Sequence, residues 1–189
     1  MAGRQPFDPR VILAALERNY VDYVLIGGLA RVLRGADEVT AGVDICPSCA
    51  PGNLERLDTA RGELGGATGG TAPRLDDERL AAQPVVAFTT ASGLVNLVAS
   101  PAGAPNGFVD LRRTATNEDL GHGLRPLVAS TGDLARMAAA LGRDQDIARL
   151  RDLRRIIELE VDRERALAPS SRAGTGAVRR MARAPRTTR

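Results

Sequence analysis

At 189 residues and 43% hydrophobic, the chain has enough length and apolar content for one domain with its own core. No apolar run approaches the roughly 20 residues a membrane helix needs, and the opening MAGRQPFDPR has no apolar h-region, so the expectation is a cytoplasmic protein without a membrane span. The net charge of +3 is unevenly spread: residues 163–189 hold eight arginines and a single acid, Glu164, while 1–162 carry a net −4. The basic character therefore belongs to the C-terminal segment. All 26 basic residues are arginine, so no lysine is available as a phosphate ligand or nucleophile.

In chain order, Asp8-Pro9 reads as N-cap and first position of a helix running to about Asn19, with Val11, Ile12, Ala15 and Leu16 on one face. VDYVLIGG is a buried-strand run stopped by Gly27-Gly28, and LARVLRG is a helix that Gly35 ends. VTAGVDIC is a second strand. Pro51 to about Leu64 is a helix, followed by a Gly-rich loop over 65–73. PVVAFTT and GLVNLVAS flank the short Ala91-Ser92 turn and predict a hairpin. A Pro/Gly loop leads to a short helix at FVDLRRTA, and GLRPLVAS is another strand. Ser130 and Asp133 have capping-box spacing for a helix that stops at Gly142. A last helix runs from about Asp144 to Arg165 with Ile147, Leu150, Leu153 and Ile157 as its core stripe. From 166 onward the Ser/Gly/Pro/Arg composition without periodicity predicts a disordered tail. Helices alternating with about five strands imply an α/β domain over 1–165, a mixed sheet with helices packed on it and a helical C-terminal part.

Three features have simple structural readings. Cys46 and Cys49 form a CPSC, but one C-x-x-C with a single histidine in the chain cannot complete a four-ligand zinc site; a strand end and turn accounts for it better than a redox motif. His122 sits between two glycines with no partner motif. Asp110, Arg112 and Arg113 read as a solvated helix face.

Gly27-Gly28 is different. Bare glycines between a strand and a helix let a phosphate reach the backbone. The stretch from Tyr23 to Ile45, YVLIGGLARVLRGADEVTAGVDI, resembles the nucleotidyltransferase superfamily, in particular its small abortive-infection and toxin–antitoxin members. In them a strand, Gly-Gly or Gly-Ser and a helix precede Asp-x-Asp on the next strand, and a later strand supplies a third carboxylate. FTTASGLVNLVASPAG resembles that later strand pair, and VASTGDLARMAAALGRDQDIARLRDL the closing region, so the likeness spans about residues 10–160. It implies transfer of a nucleotide from an NTP to a hydroxyl on RNA, protein or a small molecule. Two magnesium ions about 4 Å apart would orient the phosphates; they repel by roughly 17 kcal/mol at an effective dielectric of 20, which three carboxylates offset. Alternate residues of a strand share a face, so Asp-x-Asp delivers two of those carboxylates together.

This chain departs from the pattern. Gly42 stands at the first Asp and only Asp44 remains; Asn96 stands at the third carboxylate, with Asp110 as the other candidate. Glu38 replaces the usual Arg before Val-Thr, and Ala138 a basic residue of the late helix. The retained positions, Gly27, Gly28, Thr40, Arg143 and Asp146, would contact nucleotide, and Asp44 would be at most a weak magnesium ligand. Three readings stay open: an impaired nucleotidyltransferase that binds nucleotide, an active toxin-like transferase neutralised by an antitoxin, and a non-enzymatic partner of an active relative. The Arg-rich tail reads first as a solvated end, and such an arm can add weak, sequence-independent nucleic-acid contact.

Overall fold

A computed structural model describes residues 7–65 and 74–167. The loop expected over 65–73 and the tail from 168 onward lie outside the described residues, apart from Gly65. In chain order the elements are α1 (Pro9–Arg18), β1 (Tyr23–Ile26), α2 (Gly27–Leu33), β2 (Gly42–Pro47), α3 (Pro51–Glu63), α4 (Asp77–Ala82), β3 (Val86–Thr90), β4 (Gly93–Leu97), α5 (Phe108–Arg112), β5 (Thr116–Asn117), β6 (Leu127–Val128), α6 (Thr131–Leu141) and α7 (Asp144–Leu167).

Local signals set several boundaries. The Asp8 side chain accepts from Arg10 N at 3.0 Å and opens α1. Ser130 Oγ accepts from Asp133 N at 3.1 Å to open α6, and Gly142 closes it in the left-handed conformation. Asn53, buried at the start of α3, accepts from Asp22 N at 2.7 Å and donates to Asp22 O at 2.9 Å and Ser48 O at 2.7 Å. It ties α3 to the start of β1 and the end of β2.

The strands form a mixed sheet in the order β3-β4-β2-β1-β6-β5. β2 runs antiparallel to β1 and parallel to β4; β3 is antiparallel to β4, and β6 is parallel to β1. Residues opposite each other across a ladder share a face. One row of partners reads Leu25, Ile45, Leu97, Val86, all buried hydrocarbon. The next row reads Ile26, Asp44, Asn96, Ala87 and turns to the opposite face. The first face belongs to the core; the second carries the polar groups. α1 packs on α3 and β2, α2 on β1, β2 and α6, and α6 on α7.

Four details depart from the sequence reading. α4 was not expected. The strand expected over 123–130 shortens to Leu127–Val128 and gains a partner, the two-residue β5. Arg34, at the end of α2, holds this pair. Its Nε donates to Ala129 O at 2.9 Å and its Nη2 to Val128 O at 2.8 Å and Thr116 Oγ1 at 2.9 Å, while Nη1 pairs with Glu118 at 2.5 Å. Ile147 is half exposed and leaves the core stripe of α7, where the buried Asp146 takes its place.

Candidate functional site

The C-terminal end of β1, the first turn of α2 and the start of β2 meet α6 and the first turns of α7 around a cleft of about 500 Å³. Gly27, Gly28, Thr40, Asp44, Arg143 and Asp146 all line it. Leu134, Met137, Ala138 and Leu141 of α6 form an apolar wall, so the cleft has one greasy side and one charged side.

The two glycines are required by what lies over them. Gly27 has φ +69°, a region side chains avoid, and a Cβ there would overlap the Asp44 carboxylate. A Cβ on Gly28 would lie 2.8 Å from Thr40 Oγ1 and 3.3 Å from Glu38 Oε1. Both α-carbons are therefore bare on the cleft side, with oxygen atoms closing over them. Thr40 is fixed by donating its hydroxyl to Gly42 O at 3.1 Å.

Asp44 and Asn96 are register partners on parallel β2 and β4. The Asn96 amide nitrogen donates to Asp44 Oδ1 at 2.7 Å, so the amide carbonyl of Asn96 faces away from that oxygen. Asn96 stands one strand behind the cleft wall and reaches the site through Asp44. Gly42 shares the Asp44 face; a Cβ there would sit 3.2 Å from Leu94 O. Asp110 is elsewhere: it accepts from Asn106 N at 3.0 Å in α5 and does not line the cleft. The buried Cys46 thiol, pushed up to about 12 by burial with Cys49 adding to it, is a poor nucleophile. His122 sits in an exposed turn outside the cleft.

The charged wall is a continuous chain of ion pairs. Arg31 Nη2 lies 2.8 Å from Glu38 Oε1, and Arg149 Nε 3.7 Å from Glu38 Oε2. Arg149 Nη1 also lies 3.1 Å from Asp146 Oδ1, and Arg143 Nε 2.6 Å from Asp146 Oδ2. The Arg143 hydrogen bond, helped by Arg149, outweighs burial and holds the Asp146 carboxyl below the usual carboxylate range. Sequence reasoning missed Arg31 and Arg149. The Asp146–Arg149 spacing on α7 was the one signal that could have found the second. Among the described residues no three His, Cys, Asp or Glu side chains converge to hold a metal, and no helix is long and apolar enough to cross a membrane.

No family model matches the chain, and no curated protein matches it in sequence. Solved structures do resemble it. A proposed nucleotidyltransferase from Thermotoga maritima aligns over 80% of this chain and 96% of its own, at 17% identity and a TM-score of 0.50. The antibiotic-resistance factor ANT(2″)-Ia aligns over 84% of this chain and 92% of its own, at 14% identity and a TM-score of 0.49. The element order, the mixed sheet and the Thermotoga likeness together identify the architecture: the chain has a nucleotidyltransferase-like fold.

Proposed function

We propose that this chain is a nucleotidyltransferase-fold protein, akin to the abortive-infection and toxin–antitoxin members, whose cleft binds a nucleotide but is impaired in transfer. Its role is then nucleotide binding or regulation of a protein partner, such as an antitoxin or an active relative. The observation that carries this reading is the 2.7 Å hydrogen bond from the Asn96 amide to Asp44 Oδ1. A metal-bridging carboxylate presents its lone pairs to the ions. Here one oxygen of Asp44 is already capped by an N–H, and the neighbouring group adds no charge. Gly42 supplies no ligand, and the carboxylate of Glu38 is engaged by two arginines. This donor set does not fit a two-magnesium centre, since a single carboxylate offsets little of the repulsion between two dications.

Nucleotide binding remains chemically reasonable. The apolar α6 wall suits a base, and the bare Gly27-Gly28 backbone with the arginine-rich opposite wall suits phosphates. Calorimetric titration of ATP, CTP, GTP and UTP, with and without magnesium, tests the reading on the wild type and on the double variant Gly42→Asp/Asn96→Asp. The expected result is weak, magnesium-indifferent binding by wild type and magnesium-dependent binding by the double variant. Magnesium-dependent nucleotide transfer to an RNA or protein hydroxyl by wild type, abolished by Asp44→Ala, would overturn it.

A further inference from the structure

The three arginines of the cleft are all committed to the protein's own carboxylates. Glu38 takes the largest share. Arg31 Nε donates to both of its oxygens, at 3.0 and 3.2 Å, beside the 2.8 Å Nη2 contact, and Arg149 approaches from the other side. The pair is well sheltered, with side-chain exposures of 14% for Arg31 and 20% for Glu38. Glu38 Oε1 also lies over the bare α-carbon of Gly28. A carboxylate thus occupies the place where an anion would gain both a forked guanidinium and the closest approach to the backbone. Three guanidiniums face two carboxylates along this wall, and Asp44 over Gly27 brings the ionisable groups of the cleft to three of each sign.

We propose that Arg31 and Arg149 form a polyphosphate acceptor, and that Glu38 occupies it as an internal competitor that only a chain of phosphates displaces. The proposal rests on the nucleotide reading of the cleft and adds what sets its ligand class. Carboxylate and phosphate offer a guanidinium the same pair of acceptor oxygens. A single phosphate must compete with a carboxylate tethered at high effective concentration, and it brings few contacts to offset that. A triphosphate carries several charges along its length. It can take Arg31 and Arg149 from Glu38 while a further phosphate reaches Arg143, whose guanidinium is half exposed. The cleft would therefore discriminate by phosphate number before it discriminates by base.

The test is calorimetric titration of inorganic tripolyphosphate, pyrophosphate and monophosphate, and of ATP, without magnesium and at low ionic strength. Wild type is expected to bind tripolyphosphate at least tenfold more tightly than pyrophosphate, with monophosphate below detection. Glu38→Gln should tighten tripolyphosphate at least tenfold and bring monophosphate into range. Adding Arg31→Gln to that variant should remove the gain. If Glu38→Gln melts too low to titrate, the wild-type ranking still decides: equal affinity for the three inorganic anions overturns the proposal. Wild type and Glu38→Gln binding tripolyphosphate and ATP equally well overturns the role of Glu38 and leaves the nucleotide cleft standing. Silence of both proteins toward tripolyphosphate and ATP overturns both.

Discussion

Gly27 bears two constraints at once, a left-handed backbone and the Asp44 carboxylate where a methyl group would go. Gly27→Ala is expected to cost at least about 2 kcal/mol, combining backbone strain with displacement of Asp44. The measurement is the urea midpoint, which should fall while the slope stays constant. Asn53 is constrained differently: a buried amide that satisfies one N–H and two carbonyls of neighbouring turns. Asn53→Ala leaves those backbone groups without their partner, and a loss of about 2–4 kcal/mol follows. Thermal unfolding should show it, and hydrogen exchange should show the Asp22 amide losing protection. The two differ in what the sequence alone reveals. Gly27 was legible because a second glycine and a strand run framed it. Asn53 was not, because its bonds go to residues that no local pattern links to it.

Among the elements, those with chemical punctuation were legible and those held by distant side chains were not. Asp8-Pro9, Ser130 with Asp133, and Gly142 mark the ends of α1 and α6 by capping, which needs only neighbours in the chain. β5 is two exposed residues, Thr116 and Asn117, with no apolar alternation to reveal it; it is held by β6 and by Arg34 from α2. In α7 the apolar pattern placed Ile147 inward. The inward stripe instead runs through Asp146, Leu150, Leu153 and Ile157, because the ion pairs to Arg143 and Arg149 make burial of an aspartate tolerable at the stripe's first position. Within the cleft, Gly27-Gly28 stood out as a strand–helix junction and Thr40 and Asp44 through the family resemblance, whereas the Arg31–Glu38–Arg149 chain joins α2, the loop before β2 and α7 and leaves no periodic trace. Asp146 has its folded-state carboxyl held down, chiefly by Arg143, so the stabilisation it gives is present above the ordinary carboxylate range and lost as pH falls through the lowered value. Asp146→Asn should cost about 2 kcal/mol at pH 7, and the gap to wild type should close below about pH 4. Melting temperatures taken across that range decide it; a gap that stays constant with pH would assign the loss to packing.

Along the whole chain, positive charge is concentrated at one end. Residues 1–162 are net acidic, and residues 168–189 add six arginines with no acid. Such a segment should give the protein weak, sequence-independent affinity for single-stranded RNA, steeply dependent on salt, with a log–log slope no steeper than about −4 for six phosphate contacts. Fluorescence anisotropy of the full chain against one ending at Leu167 checks this. The shorter chain should lose the affinity and keep its melting temperature.

The register that sets Asp44 beside Asn96 also bears on how this protein can change over generations. Asparagine and aspartate codons differ by one purine transition, so the amide can become an acid in a single mutational step. Its Cβ is already in place, and so the strand need not move. Gly42 is a harder position to change, because any side chain there must first clear the Leu94 carbonyl at 3.2 Å. The two positions thus differ in structure: an acid at 96 needs no backbone movement, whereas a side chain at 42 needs an adjustment of β4. A lineage acquiring acids along this sheet would be expected to pass through Asn96→Asp first.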